Sequence, residues 1–277
     1  MNGPRTYRRL THLALHVGLL AIGALFVLPF AWMFATSLKP MSDLFQLVPT
    51  FIPSTVRWQN YVDVVDVVPF FRFYLNSIIV TVGRVIPQIF ICSLAAFAFA
   101  RLRFPGREIL FVALLASLMV PAQITIIPNF VIVRYLGWLD SYFGIIVPTL
   151  FSVFGTFLLR QFFMSLPNEL QEAAVIEGAN PLQVYWYVFM PLARPAIAAF
   201  SLIQILWSWN DFLWPLIVTS STEMQVLPVG IAMFQGQYTT NTAILMAAAT
   251  MATVPMLIVF LLAQKQLIEG ISMTGLK

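Results

Sequence analysis

Charged residues are scarce in this chain. Only 9% of its 277 residues are Asp, Glu, Lys or Arg, whereas 60% are hydrophobic. Soluble domains carry roughly 25% charged residues, so this composition excludes a disordered chain and argues against a water-exposed globule. Cysteine is nearly absent as well. The lone Cys92 excludes an intrachain disulfide framework and a metal site built from cysteines.

Long charge-free runs dominate the sequence instead. Because a helix needs about 20 apolar residues to cross about 30 Å of hydrocarbon, these runs indicate membrane spans. We predict an all-α membrane protein that forms a single transmembrane domain over residues 1–277. Its six transmembrane helices are predicted near residues 12–36, 73–100, 108–131, 142–163, 194–219 and 243–264. The proline-containing stretch between the first two spans is expected not to form one long helix.

The distribution of positive charge predicts the orientation of these spans. With the N-terminus inside, the inner segments carry ten Lys or Arg residues and the outer segments carry four. This excess follows the positive-inside rule, so we expect both termini in the cytoplasm. The net charge of +4 then belongs to cytoplasmic loops and does not indicate nucleic-acid binding.

The longest inner segment lies between the fourth and fifth spans. Pro167 suits a first helical position and Gly178 suits a helix stop, which predicts a helix of 12 residues. Leu170, Ala173 and Ala174 share one face of this helix at i, i+3, i+4 spacing. Because two of these side chains are small, another surface can approach the face closely.

A second short helix is predicted directly after the first. Asn180 is placed to cap it, and Gln183 stands three residues after the cap. The apolar positions that follow at helical spacing are Leu182, Tyr185, Trp186 and Phe189. Their aromatic side chains indicate a stripe at the membrane interface.

The inner segment resembles the EAA loop of the permeases of binding-protein-dependent ABC importers. The matching residues are Glu172-Ala173-Ala174, Gly178 four residues later, and Met190-Pro191. The family usually has Asp where this chain has Glu177, and Leu where it has Met190. Within the family, the string from Trp209 to Pro215 is similar to the second permease of carbohydrate uptake (maltose-type) systems. The strings Phe104-Pro105-Gly106 and Asn60-Tyr61, with Pro53, are also similar to that subfamily.

The resemblance implies a type I ABC importer permease and an assembly around it. Such a permease pairs with a second, related permease, and two cytoplasmic ATPase subunits dock beneath the pair. An extracytoplasmic substrate-binding protein delivers the sugar, and membrane lipids surround the complex. The resemblance also implies a bacterial or archaeal cytoplasmic (inner) membrane location. The docking positions that it implies are Glu172, Ala173, Ala174, Gly178 and Pro191.

Catalysis is not expected of this chain. It contains no GxxxxGK[ST] phosphate-binding loop, so we expect ATP and Mg²⁺ to be bound by the partner ATPases and no cofactor to be bound here. His12 and His16 share a face of the first span, but two histidines without further ligands do not make a metal site.

Two charged side chains, Arg84 and Asp211, lie within predicted spans. Each costs about 2.5–3.5 kcal/mol at mid-bilayer on insertion scales, so both should face protein or water. On a continuous helix, Asn210, Asp211 and Trp214 share one side. These three residues, with Arg84 and Asn76, are the candidates for the translocation pathway. The alternative for the charged pair is a structural role, such as contact with another subunit.

Other functions are open on the sequence. The first alternative is a secondary transporter driven by an ion gradient, although such transporters usually show intramembrane carboxylates or internal repeats. The second is an ABC importer permease for a non-sugar substrate, such as a glycerol-phosphate ester. The third is a membrane-embedded enzyme, but the chain shows no GxSxG or HExxH motif.

Overall fold

The structure, a computed structural model, describes the backbone of residues 3–235 and 241–274 and the side chains of residues 11–235 and 241–264. Helices dominate these residues, and no β-strand occurs among them. The prediction of an all-α fold is therefore confirmed. The chain divides into two compact units, residues 1–68 with 231–253 and residues 69–230 with 254–277.

The first unit begins with the long apolar helix and continues into the stretch that was predicted not to be one long helix. Its helices are α1 (Gly3–Ser37), α2 (Met41–Leu44) and α3 (Gln59–Val67). Polar side chains hold the chain from the end of α1 to α3: Asn60 Nδ2 in α3 donates to the carbonyls of Ser37 and Lys39 at 2.8 and 3.0 Å. Asp43 accepts hydrogen bonds from the backbone N–H and the hydroxyl of Ser54, both at 2.8 Å. This stretch is therefore ordered without a long helix, as predicted.

The second unit contains most of the remaining helices. They are α4 (Phe70–Arg101), α5 (Arg107–Ala116), α6 (Ala122–Tyr135), α7 (Tyr142–Ile146), α8 (Val153–Ser165), α9 (Glu169–Ile176), α10 (Pro181–Gln183), α11 (Met190–Leu192), α12 (Arg194–Trp209) and α13 (Leu213–Val218). A π-helix, Val184–Phe189, joins α10 to α11. Two helices run across the boundary of the units, α14 (Leu227–Ala232) and α15 (Thr242–Thr274).

The predicted spans correspond to three long helices and three bent helix pairs among the described residues. The long helices are Thr11–Ser37, Phe70–Arg101 and Thr242–Gln264. The bent pairs are Arg107–Met119 with Ala122–Tyr135 at 99°, Tyr142–Thr149 with Val153–Ser165 at 43°, and Pro181–Leu192 with Arg194–Trp209 at 77°. If each bent pair counts as one span, the chain crosses the membrane up to six times.

The predicted continuous helix over residues 194–219 is wrong. Helix α12 ends at Trp209, and α13 begins only at Leu213. Proline explains the break: a continuous helix would need a hydrogen bond from the backbone nitrogen of Pro215 to the carbonyl of Asp211, and proline has no N–H to donate. The side-chain amide of Asn210 instead folds back and donates to the Leu206 carbonyl at 2.8 Å. Helical spacing therefore cannot place Asn210, Asp211 and Trp214 on one side.

The core of the second unit lies where α4 and α8 pack together with α12. Its buried aromatic residues, called here the aromatic cluster, are Phe97, Phe163, Tyr185, Phe189 and Phe200. Gly155 lets α8 approach this cluster closely, because a Cβ there would lie 2.2 Å from a ring carbon of Phe200. The C-terminal end of α4 is thus fixed against the elements that lead into and out of α9.

Candidate functional site

The EAA segment, residues 168–192, is a chain of short helices. Helix α9 covers Glu169–Ile176, two residues shorter at each end than the predicted helix 167–178. Gly178 ends it as predicted, with a left-handed φ of +86° that favours glycine. The backbone N–H of Ala179 then donates to the Ala174 carbonyl at 2.9 Å. The turn after α9 is thus closed by backbone hydrogen bonds.

The small side chains of α9 do not all point the same way. Glu172 and Ala173 are exposed, whereas Ala174 packs against the aromatic cluster. Leu170 is partly covered, and Ile176 is 86% exposed. The predicted small face is therefore divided: Ala174 faces the chain's own core, and Ala173 faces outward with Glu172.

The cap of the second short helix is confirmed. The Asn180 side chain accepts from the Gln183 backbone N–H at 3.0 Å, and the Gln183 side chain accepts from the Asn180 N–H at 2.8 Å, which completes a capping box. Pro191, the last residue of the resemblance, lies exposed in α11.

The predicted interface stripe after this cap is wrong as a single surface. Leu182 and Trp186 are exposed, but Tyr185 and Phe189 are buried in the aromatic cluster. The reason is the π-helix, whose i→i+5 winding changes the side-chain directions that α-helical spacing assumes. The Tyr185 hydroxyl shares a 2.8 Å hydrogen bond with Ser93 Oγ on α4.

Sequence reasoning missed Arg101, the last residue of α4. Its Nη1 donates to Asn168 Oδ1 at 2.5 Å, and its Nη2 donates to the carbonyls of Phe163 and Leu166 at 2.5 Å. The guanidinium carbon also lies 4.8 Å from the centre of the Phe189 ring. The only sequence signal was a basic residue in the last turn of a helix, which is common and usually serves the helix dipole.

Arg160 on α8 was also missed as a structural residue. Its Nε donates to the Phe99 carbonyl at 3.2 Å, its guanidinium stacks 3.9 Å from the Phe111 ring centre, and it pairs with Glu108 at 3.3 Å. It is only 7% exposed. Arg160 therefore ties α8 to α4 and α5.

A groove runs beside α9 along the chain that follows α4. Its volume is about 850 Å³, and its lining includes Arg103, Arg107, Gln171 and Glu172. Charges of both signs therefore border α9. The acidic residue of the groove is Glu172 on α9, whereas Arg103 lies in the connection between α4 and α5 and Arg107 is the first residue of α5.

At a second place, the structure brings together the two charged residues of the predicted spans. Arg84 Nη1 lies 3.1 Å from Asp211 Oδ2. Asp211 sits in the break between α12 and α13, and Arg84 sits in the middle of α4. The Arg84 side chain is 16% exposed and the Asp211 side chain is 24% exposed. Arg84 Nε is buried and has no hydrogen-bond partner in the described part of the chain.

The other pathway candidates are not part of this ion pair. Asn76 is fully buried: its Nδ2 donates to the carbonyls of Glu223 and Gln225 at 2.7 and 2.8 Å, and its Oδ1 accepts from Tyr142 at 2.7 Å.

Trp214 is buried too, and its indole N–H donates to the Gly144 carbonyl at 3.1 Å. Asn210 is exposed. A pathway role for these three residues stays a prediction. Among the described residues, no group of three or more His, Cys, Asp or Glu could hold a metal ion.

Comparison with known proteins covers nearly the whole chain. Residues 88–272 match the family described as "Binding-protein-dependent transport system inner membrane component". The chain is 32% identical to the arabinooligosaccharides transport system permease protein AraQ of Bacillus subtilis (strain 168). The alignment covers 96% of this chain and 95% of AraQ. It is 34% identical to the sn-glycerol-3-phosphate transport system permease protein UgpE of Pectobacterium atrosepticum, in an alignment that covers 94% of each chain.

A solved structure shows the same architecture. A chain in the crystal structure of a bacterial ABC transporter involved in the import of the acidic polysaccharide alginate superposes with a TM-score of 0.79 at 26% identity. The match covers 96% of this chain and 98% of that chain. The type I permease fold expected from the resemblance is thereby confirmed.

Proposed function

Because this chain belongs to the family of binding-protein-dependent transport system inner membrane components, we propose that it is the translocation subunit of an ATP-driven carbohydrate importer. It pairs with a second permease and receives substrate from an extracytoplasmic binding protein. Two cytoplasmic ATPases bind the ATP and Mg²⁺ and drive the cycle through α9. The observation that carries this proposal is the exposed Glu172-Ala173 surface of α9, within a short helix held at both ends.

The docking surface is the outward side of α9. Ala173 permits close approach, Glu172 offers a carboxylate to basic or hydrogen-bonding groups, and the exposed Ile176 adds an apolar contact. Ala174 contributes from the inside, because it holds α9 against the aromatic cluster. Gly178 and Pro191 shape the connection on the C-terminal side of α9.

Carbohydrate is the substrate class that the relatives favour. One relative is named for arabinooligosaccharides, and the solved structure belongs to a transporter of the polysaccharide alginate. The second candidate is a glycerol-phosphate ester, which is favoured by the relative named for sn-glycerol-3-phosphate. Uptake assays in the native cell, with and without this chain, using neutral oligosaccharide, alginate oligosaccharide and glycerol 3-phosphate in turn, would separate these classes.

Docking is tested by adding bulk to the outward side. Ala173→Trp should lower ATPase recovery with the solubilised complex by at least tenfold while membrane insertion stays normal. Leu47→Trp is the matched control, because Leu47 is fully exposed on the stretch between α2 and α3, far along the chain from α9. Normal ATPase recovery with Ala173→Trp would overturn the docking assignment. Ala174→Trp is a poorer test, because it would also disturb the aromatic cluster.

The proposed orientation places α9 and both termini in the cytoplasm of a bacterial or archaeal cell. Single cysteines introduced at Gln171 and Arg57 in a Cys92→Ser background test it. Impermeant maleimide should label position 57 in intact cells and position 171 only after the membrane is opened. Labelling of position 171 from outside would overturn the orientation.

A further inference from the structure

The guanidinium of Arg101 touches the chain on both sides of α9. Ahead of α9 it reaches the carbonyls of Phe163 and Leu166 and the side chain of Asn168. Beyond α9 it lies over the ring of Phe189, the last residue of the π-helix. One side chain at the end of α4 therefore contacts both connections of the helix proposed to dock on the ATPase.

Chemistry explains why an arginine holds this place. At the C-terminal end of α8 the Phe163 carbonyl accepts the Leu166 N–H at 3.3 Å and has a second lone pair for the guanidinium. A cation there is also favoured by the helix dipole. A guanidinium is planar, so its two Nη groups can serve three acceptors while its face stacks on an aromatic ring. A lysine ammonium group has neither the two forked Nη donors of a guanidinium nor a planar face that can stack on a ring.

We propose that Arg101 is a positioning residue that transmits movement of α9 to α4. The proposal rests on the function proposed above, since it assigns α9 to the ATPase. Helix α4 also carries Arg84, seventeen residues before Arg101 and so about 25 Å along the helix at 1.5 Å per residue. A displacement of α9 is thus passed through Arg101 to the helix that carries half of the intramembrane ion pair.

The contacts around α9 favour this route over its other attachments. On its outward side, Glu172, Val175 and Ile176 are exposed. Inward, Ala174 makes an apolar contact that can slide, because it has no direction. The Arg101 hydrogen bonds are directional and join fixed atoms, so they resist sliding. These hydrogen bonds hold the N-terminal side of α9, and the contact of the guanidinium with the Phe189 ring adds packing beyond its C-terminal end.

The test measures coupling rather than assembly. The complete transporter, with Arg101→Gln in this chain, is reconstituted with its partner permease, ATPase and binding protein. We expect ATPase subunits to remain bound, binding-protein-stimulated ATP hydrolysis to fall, and uptake per ATP hydrolysed to fall at least tenfold. Arg194→Gln is the matched control, because Arg194 is an exposed arginine at a helix end whose side chain makes no hydrogen bond or ion pair with a described residue. The Arg194→Gln transporter should keep the wild-type uptake per ATP hydrolysed.

Two further variants keep the test decisive if Arg101→Gln fails to accumulate. Asn168→Ala removes only the Nη1 contact at an exposed side chain and should lower the ratio severalfold in the same direction. Arg101→Lys keeps the charge but loses the two Nη donors, so it should not restore the uptake per ATP hydrolysed. A wild-type ratio in Asn168→Ala and Arg101→Lys at matched complex yield would overturn the proposal. If the wild-type chain itself failed to bind an ATPase, the proposed function would fail instead.

Discussion

Helix α4 carries two arginines in contrasting settings. Arg101, at its C-terminal end, donates to three oxygen acceptors and stacks on a ring. Arg84, in its middle, has one hydrogen-bonding partner, Asp211. The Nε of each arginine is buried without a partner among the described residues, so the two differ in what their Nη groups contact. The difference shows what each place is suited to. A cation held by several directional contacts is fixed, whereas a cation with a single hydrogen-bonding partner is left unpaired when that one partner moves.

The setting of Asp211 supports the same distinction. It lies in the break between α12 and α13, where its backbone N–H makes a 3.3 Å hydrogen bond to the Ser208 carbonyl but the regular helix is interrupted. Irregular backbone at membrane depth is tolerated when it is buried in protein or lines a cavity. An ion pair with one partner in a helix and the other in a break can open when the break moves.

The largest expected effect comes from breaking this pair on one side. Asp211→Ala leaves Arg84 charged and unpaired, and removing one partner of a buried pair costs about 3–5 kcal/mol, with the low end expected here because both side chains keep some exposure. Uptake at matched complex yield should fall more than tenfold.

The double variant Arg84→Gln with Asp211→Asn is the control for that prediction. It removes both charges together, so it should lose less thermal stability than Asp211→Ala. A double variant that is as unstable as the single one would contradict the idea that the unpaired charge is the cause. Uptake and thermal unfolding of the purified complex provide the two measurements.

A smaller effect should follow from disturbing the fixed end of α4 through its packing. In Gly155→Ala the new Cβ would lie 2.2 Å from the Phe200 ring, so the aromatic cluster must shift. Overpacking of this kind costs about 1–3 kcal/mol. Gly18→Ala is the control, because no described atom outside the neighbouring backbone of its own helix lies within 4 Å of that Cβ. Thermal unfolding that is equal for the two variants would show that the cluster is loosely packed.

The cap at Asn180 should matter less. Asn180→Ala removes one half of the capping box, and the loss of such a cap costs about 1 kcal/mol. Because the cap lies between α9 and the π-helix, we expect faster hydrogen exchange in residues 180–189 and an unchanged rate around Arg84. An equal increase at both places would mean that the π-helix and the middle of α4 are not separate in stability.

The smallest effect concerns Asp43, a third polar site that is fixed by several contacts. The backbone N–H of Ser54, and then its hydroxyl, hold the pKa of the Asp43 carboxyl below its ordinary value. A carboxyl whose folded pKa is lowered adds stability above its unfolded pKa of about 3.9, and that contribution is lost as the pH falls through the folded pKa. Protease nicking of residues 45–58 should therefore be faster in Asp43→Asn than in wild type at pH 7. The two rates should converge as the pH falls below 4, and a constant difference would contradict the assignment.

The sequence predicted the structural features that depend on residues close together in the chain. Apolar runs marked the places where the long helices and bent pairs occur, since hydropathy and length are local properties. Gly178 and Asn180 marked a stop and a cap, because both features are set within a few residues. The EAA resemblance depended on a similarly short string.

What the sequence could not predict depends on distant contacts. Arg101 acts on residues more than sixty positions away, and only the packing of α4 on α8 brings them together. The inward direction of Ala174 follows from the aromatic cluster, which has members on four separate elements. The break before Pro215 was different. Its signal was present in the sequence, but the apolar run around it suggested a continuous span.

The π-helix at Val184–Phe189 has a consequence for chains of altered length. A π turn holds more residues than an α turn, so removing one residue from it would allow ordinary α winding. Because the wide turn accommodates the extra residue, the shortened chain would keep nearly the same relative rotation of the flanking segments. A residue deleted from an α-helix has no such compensation and turns everything that follows by about 100°. We therefore expect one deletion within Val184–Phe189 to lower ATPase recovery less than one deletion within α9.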